Sequence, residues 1–229
     1  MERHFHEQLQ DLKEMLIRMA TAVETSISKS IDALVGCNDA LADEVIRMDD
    51  EINELEIRID EQCLKLLALQ QPMAVDLRFV TSAMKINNDL ERMGDHSVNI
   101  AQRAQMLNAM RPLKVAKNVT KIAPIVQKMV RDSIQAFVDE DADMAQRICI
   151  RDDEVDEFDE LFFRELLTLM INNKKTISRS IDLMLVSKNL ERIADLSTNI
   201  AEEVIFIYKA RMIKHHLWYK DLEDIRSRS

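Results

Sequence analysis

The sequence predicts an all-α protein made of two tandem three-helix bundles, related by an internal repeat and similar in plan to spectrin repeats. Three observations support this fold class. Glycine and proline are rare, with two and three copies among 229 residues, so few short strands and tight turns can form. Apolar residues recur at helical spacing along nearly the whole chain. One polar motif also occurs twice, which indicates a duplicated unit.

The first repeat divides into three helical segments. The first carries an apolar stripe between residues 5 and 34 and ends at Gly36. The second starts near Asp39 and is broken at Pro72, because proline disfavours helix at the residue before it. The third spans about 72–108 and closes before Pro112.

The second repeat follows the same plan. Its helical segments are predicted at 114–139, 141–171 and 176–212, with a polar break between the last two. Each of the six helices should hold roughly 30 residues and measure about 45–50 Å. We therefore expect one three-helix repeat at 1–111, a second at 112–213, and a polar, frayed C-terminal tail at 214–229.

The duplicated motif shows which residues are retained besides the apolar core. Residues 91–101 return as 191–201, with seven of eleven positions identical, and residues 49–55 resemble 152–158. Within the longer motif, Glu, Asp and Asn stand at i, i+4 and i+8, which places them within an arc of about 80° on a helix. Two carboxylates at i and i+4 repel each other. A bound cation would remove that repulsion, and hard oxygen ligands suit Mg, Ca, Mn or iron.

Two other interpretations of the acidic stripe stay open. It could be a plain solvated helix face. It could also belong to a di-metal oxidase bundle, but that chemistry needs His three residues after Glu, and the chain has Gly94 and Ala194 there. His96 is more typical of a surface or capping histidine than of a ligand. No phosphate loop, nucleophile elbow or Cys/His pairing accompanies the stripe.

The net charge and the cysteine content indicate which ligands the protein can bind and in which cellular compartment it works. The net charge is −10, and no basic run with interleaved aromatics is present, so nucleic acid is not expected as a ligand. No segment approaches the roughly 18 apolar residues of a membrane span. The three cysteines are isolated in sequence, which favours a reducing cytoplasm.

Several motifs together resemble the PhoU family over about residues 5–213. They are Gln71-Pro72-Met-Ala-Val-Asp76-Leu77-Arg78, Lys85-Ile86, Leu90-Glu91-Arg92-Met93-Gly94-Asp95, and the second copy at 190–195 with Asn199-Ile200. The resemblance implies a cytoplasmic protein without catalytic activity that represses phosphate uptake and the phosphate-starvation response. It also implies an adaptor role between the ATPase subunit of a phosphate ABC transporter and a sensor histidine kinase.

The same resemblance implies metal binding on paired helices. Carried over by position, the first ligand set is Asp49, Glu91 and Asp95, and the second is Asp152, Asp156, Glu191 and Asp195. Asn53 replaces an acid in the first set, so that site should bind more weakly, and Asn99 and Asn199 could add neutral ligands. The expected cofactor is iron or another divalent cation such as Zn, Mn, Mg or Ni.

The resulting prediction is a non-enzymatic regulator that binds protein partners through a helical face. A homodimer is expected from the elongated shape and the family. Two alternatives remain, a metal-carboxylate enzyme or metal store, and a plain helical scaffold.

Overall fold

The described part of the chain, residues 2–211 with side chains at 5–113 and 115–211, contains six α-helices and no strand in this computed structural model. The helices are α1 (Glu2–Val35), α2 (Asp39–Gln70), α3 (Ala74–Asn108), α4 (Val119–Asp139), α5 (Ala142–Asn172) and α6 (Ile177–Lys209). The all-α prediction and the two tandem three-helix bundles are confirmed. None of the described helices is long and apolar enough to cross a membrane.

Short polar breaks define where the helices begin and end. Asn38 caps α2 by accepting hydrogen bonds from the backbone of Ala40 and Leu41 at 3.1 and 3.3 Å. Asp141 caps α5 in the same way, accepting from Asp143 and Met144 at 2.9 and 2.8 Å. These side chains satisfy backbone N–H groups that have no partner in the first helical turn.

The fourth helix is shorter than predicted. Residues Lys114–Asn118 form a 3-10 turn, and α4 then holds 21 residues instead of roughly 30. Pro112 precedes an extended Leu113, and the tighter 3-10 turn packs Leu113, Val115 and Ala116 against the core. The helix α6 also stops earlier than predicted, at Lys209, because Ala210 adopts a left-handed conformation with φ 52°. The predicted tail at 214–229 lies outside the described residues.

The six helices form two layers. One layer has the order α2, α3, α6, α5, and the second layer consists of α1 and α4, which pack across one side of it. In the second layer, Lys13 donates to the backbone carbonyl of Val138 at 3.2 Å, and Arg131 donates to Glu24 at 2.8 Å. The paired acids of the duplicated motif lie instead in two grooves of the four-helix layer, with Glu91 and Asp95 beside α2 and Glu191 and Asp195 beside α5.

The helices α3 and α6 run antiparallel along a seam between the repeats, and this seam contains paired polar groups. Ser82 and Lys85 both donate to Glu203 at 2.7 Å. At the corresponding place across the internal symmetry, Arg103 donates to Asp182 at 3.2 Å. The repeats are thus joined by hydrogen bonds as well as by apolar packing.

His96 lies in this seam, so the expectation of a surface or capping histidine is wrong. The residue is buried, and its Nδ1 is 2.9 Å from the side-chain oxygen of Asn189 on α6. Burial, with Arg192 and Arg92 close by, lowers the pKa of His96. The second repeat covers a face of α3 that its own bundle leaves open, and a single-helix pattern cannot show that.

Candidate metal centre

Three carboxylates converge in the groove between α5 and α6. Asp156 on α5 and Glu191 and Asp195 on α6 each offer one oxygen, and these oxygens lie within 4.8 Å of one another. Glu191 and Asp195 are one helical turn apart, so both side chains face the same groove. Among the described residues, no other set of three possible metal donors comes this close.

Asp152 adds a fourth acid one turn before Asp156. It is 5% exposed, and its Oδ1 is buried without a hydrogen-bond partner, as is Oε2 of Glu191. Burial and then the charges of Asp195, Asp156 and Glu191 raise the pKa of Asp152 to about 7. Two unsatisfied carboxylate oxygens in one groove are costly unless a cation or proton is supplied.

Asp195 is affected by the same crowding. Partial burial and the carboxylates of Glu191 and Asp156 raise its pKa to about 6. Lys188 neutralises part of the negative charge in this groove, because its ammonium group donates to Oε1 of Glu191 at 2.6 Å. That ion pair was missed in the sequence, although the Lys188–Glu191 spacing of i, i+3 on a helix could have revealed it.

The equivalent groove between α2 and α3 holds the first predicted set. Asn53 donates to Oδ2 of Asp49 at 3.1 Å, while Oδ1 of Asp49 is buried without a partner. Burial raises the pKa of Asp49, the Asn53 hydrogen bond opposes this, and Asp95 adds to the rise. Burial and then Asp95 raise the pKa of Glu91. The first set therefore shares the electrostatic strain of the second, but its donors do not converge within the same 4.8 Å limit.

One of the two suggested neutral ligands also contacts the other repeat. Asn199 forms a side-chain hydrogen bond with Asp89, a buried residue of the α3–α6 seam. Burial raises the pKa of Asp89 to about 6, against the charge of Arg92 and the Asn199 hydrogen bond. A helical wheel places Asn199 near Asp195, but it does not show that α3 contacts Asn199. A ligand role for Asn99, and for the carbonyl oxygen of Asn199, stays a prediction.

The close approach of α2 to α3 depends on Gly94 in the first motif. A Cβ built on Gly94 would lie 3.1 and 3.3 Å from the side chain of Ile52 and 3.6 Å from Oδ1 of Asp49. In the second repeat these positions are Ala194 and Val155, both buried. The second repeat thus has a larger residue at the α6 position and a smaller one at the α5 position, so the total volume of the pair is nearly conserved.

We expect Gly94→Ala and Ile52→Val to be strongly non-additive. Gly94→Ala crowds Ile52, Ile52→Val alone costs about 0.5–1.5 kcal/mol, and together they reproduce the pair found in the second repeat. The double variant should be about 1 kcal/mol more stable than the sum of the single changes. Chemical denaturation of the four proteins measures this coupling, and strictly additive effects would contradict it.

The comparisons with known proteins agree with the duplicated architecture. The family model described as PhoU domain matches residues 16–104 and again 119–204. A protein from Aquifex aeolicus named phosphate-specific transport system accessory protein PhoU homolog is 40% identical over 208 residues, covering 91% of this chain and 94% of its own. A protein of the same name from Pseudomonas aeruginosa is 36% identical and covers 93% and 88%.

Two solved structures share the fold. The crystal structure of PhoU from Pseudomonas aeruginosa superimposes with a TM-score of 0.88 at 36% identity, covering 90% of this chain and 100% of that one. The phosphate transport system regulatory protein PhoU from Streptococcus pneumoniae gives a TM-score of 0.86 at 28% identity, covering 92% and 100%. With two matching domains, a duplicated motif and relatives above 30% identity over nearly the full length, the chain belongs to the PhoU family.

Proposed function

We propose that this chain is an accessory protein of a phosphate-specific transport system, and that it represses phosphate uptake and the phosphate-starvation response. The observation that carries this proposal is the match of both repeats to relatives that bear that name over nearly their whole length. In the proposed mechanism the chain is a cytoplasmic, non-enzymatic adaptor between the transporter's ATPase subunit and a sensor histidine kinase. A homodimer remains part of the prediction.

The geometry suits an adaptor that works through exposed helix faces. The side of the α2, α3, α6, α5 layer that faces away from α1 and α4 presents long helices and two acidic clusters. Contacts of this kind can be modest in area and still transmit a signal.

The two described buried thiols, Cys63 and Cys149, are free, and burial raises the pKa of each to about 12, so both stay protonated and unreactive at neutral pH.

We propose that this regulator also binds metal. Asp152, Asp156, Glu191 and Asp195 would hold a hard cation such as iron or Mn²⁺, and Asp49, Glu91 and Asp95 would hold a second one more weakly. The residues fit such an ion, because Asp49, Asp152 and Glu191 each keep a buried carboxylate oxygen without a hydrogen bond. When bound, the ion would neutralise the crowded charge and link the two helices of each groove.

The convergence of oxygens between α5 and α6 also supports a second candidate, a metal store or carboxylate-bridged metal enzyme. The two functions differ in a measurable way. A store or an enzyme should take up or oxidise iron in multiple equivalents per chain. A regulator needs only about one ion per groove and no turnover.

Deletion of the gene should derepress phosphate-starvation genes in high-phosphate medium. The expected readout is strong reporter expression from a starvation promoter in the deletion strain, with repression restored by the wild-type gene on a plasmid. If the reporter stays repressed without the protein, the regulatory function is wrong. A complementing copy with Glu191→Gln and Asp195→Asn tests whether repression depends on the acidic groove.

A further inference from the structure

The second repeat exposes six large apolar side chains in two short rows on neighbouring helices. They are Phe163, Leu167 and Ile171 on α5, and Ile177, Ile181 and Leu185 on α6. Their exposed fractions run from 38% at Leu185 to 74% at Ile171. Scattered apolar residues are normal on a protein surface, but a contiguous patch marks an interaction site. We call these six residues the apolar pad.

The hairpin geometry brings the two rows together. Within each row the spacing is four residues, so the side chains stack along one helix face. Ser187 on α6 donates to Asp159 on α5 at 2.6 Å, which shows the antiparallel register of the two helices, and in the turn between them Thr176 donates to the carbonyl of Leu169 at 3.3 Å. At this register Phe163 lies level with Leu185, Leu167 with Ile181, and Ile171 with Ile177. The two rows therefore lie side by side on the outward face of the α5–α6 hairpin.

The fold itself does not require the pad. The corresponding residues of the first repeat are Asp60, Leu64, Ala68, Leu77, Thr81 and Lys85. Two of them have polar partners instead, because Asn87 donates to Asp60 at 3.0 Å and Lys85 donates to Glu203. The same hairpin therefore forms with mixed residues at these six positions in one repeat and with apolar residues at all six in the other.

The pad continues directly into the acidic groove. Asp156 precedes Phe163 by seven residues, about two helical turns, and Asp195 follows Ile177 by 18 residues, about five turns, so the acids lie on the same face as the pad. Residues 152–165 hold eight acidic side chains and one basic one. Asp152, 5% exposed, aims an oxygen without a hydrogen bond into this groove.

An apolar pad beside an acidic groove fits one class of binding partner. Anionic membranes and nucleic acids would be repelled by the acids. A second copy bound with the two grooves running in the same direction would bring the acidic clusters together, and one bound in the opposite direction would place the acids of each copy on the apolar pad of the other. An amphipathic helix with apolar residues on one face and Lys or Arg beside them would satisfy both parts of the surface. The groove from residue 171 to residue 152 is about 28 Å long at 1.5 Å per residue, which fits a helix of about 19 residues.

We propose that the α5–α6 face is the docking site for a basic amphipathic helix of a partner protein, with its apolar residues on the pad and its cationic side chains in the acidic groove. This inference deepens the proposed adaptor function and rests on it. The groove carboxylates cannot ligate a metal ion and pair with Lys or Arg side chains at the same time, so the docking is proposed for the metal-free protein. It gives that adaptor an asymmetric surface, with one repeat specialised for docking.

The test uses purified, metal-free full-length protein in chelator and three tagged synthetic 20-residue peptides. The first has Leu at i, i+3 and i+4 spacing flanked by Lys, the second replaces Lys with Glu, and the third scrambles the first so that no apolar stripe forms. Fluorescence anisotropy should show the Lys peptide binding at least tenfold more tightly than the other two. Equal binding of the scrambled peptide would reduce the effect to bulk charge and overturn the proposal.

Variants locate the binding face. Phe163→Asp with Ile181→Thr installs the first repeat's residues, adds a negative charge, and should still weaken Lys-peptide binding at least tenfold. The matched control is Leu161→Asp, an equally charged change at a leucine 57% exposed on the other side of α5, which should stay within twofold of wild type. Glu191→Gln with Asp195→Asn should weaken binding at least threefold. Unchanged binding by either double variant would overturn the proposal.

Light scattering tests whether the α5–α6 face instead binds a second copy of the chain. If wild type is a dimer that Phe163→Asp with Ile181→Thr dissociates, the face joins two copies and the proposal is wrong. The outcomes also separate this inference from the proposed function. If the Lys peptide binds but deletion of the gene does not change the starvation reporter, the docking face is supported and the proposed phosphate regulation is wrong. A reporter response without peptide binding would place the adaptor's contacts elsewhere.

Discussion

Metal loading should raise the melting temperature of the wild-type protein by about 5–10 °C. A ligand present at 100 times its Kd stabilises the folded state by about 2.7 kcal/mol, and each kcal/mol is worth about 2–4 °C in a protein of this size. The physical source of the gain is the acidic groove, where Asp152 and Glu191 keep buried oxygens without hydrogen bonds. Thermal melts with and without Mg²⁺, Mn²⁺, Zn²⁺, Ni²⁺ or iron measure the shift.

Two double variants show which groove is responsible. Glu191→Gln with Asp195→Asn should raise the melting temperature of the metal-free protein, because it removes like charges, and should abolish most of the metal-dependent gain. Glu91→Gln with Asp95→Asn should remove a smaller part, because Asn53 already supplies a neutral oxygen in that groove. If metal fails to stabilise the wild type, or stabilises the second-repeat variant equally, the acidic stripe is a solvated face.

The metal-free protein should become less stable as the pH rises from 5 to 8. The pKa of Asp152 is raised to about 7 in the folded state, above its ordinary 3.8, so the folded chain holds a proton that the unfolded chain has released. Stability is then highest at low pH and is lost as the pH passes through the folded pKa. For Asp152 the loss is about 2–3 kcal/mol at 1.36 kcal/mol per pKa unit, or about 5–10 °C.

Melts at pH 5 and pH 8 in chelator test this dependence. His96 acts in the opposite sense below about pH 6.5, because its pKa is lowered by burial, so the informative quantity is the difference from a variant. Asp152→Asn should flatten the pH dependence, whereas Asp153→Asn at the exposed neighbour should leave most of it. A wild-type slope unchanged by Asp152→Asn would contradict the assignment.

The sequence predicts the helices and the acidic clusters well, because both depend on one period. Apolar spacing near 3.6 residues places five of the six helices close to their observed bounds. The i, i+4 spacing of Glu191 and Asp195 is enough to bring both to one groove, and the duplicated acids on α5 indicate the partner helix. The exception is α4. Residues Lys114–Asn118 have helical spacing in the sequence, but they form a 3-10 turn that packs Leu113 and Val115 against the core.

What the sequence does not reveal is contact between helices of different repeats. His96, Asp89 and Asn199 look like surface residues on their own helices, yet His96 and Asp89 are buried and Asn199 hydrogen-bonds across the seam. A helical wheel shows only which residues share a face of one helix and treats every polar face as exposed to water. It cannot show that the second repeat covers a polar face of the first, and it cannot show which apolar residues of α5 and α6 remain uncovered.

The seam between α3 and α6 restricts how this chain could ever be rearranged. Its corresponding positions have diverged: Ser82 faces Glu203 on one side of the internal symmetry axis, and Asp182 faces Arg103 on the other. Two second repeats joined through α6 would set Asp182 against Glu203, which is a pair of like charges. A single repeat can therefore no longer serve as both halves. Two first repeats joined through α3 would set Lys85 against Arg103 in the same way, so neither repeat is electrostatically matched to a second copy of itself across this seam.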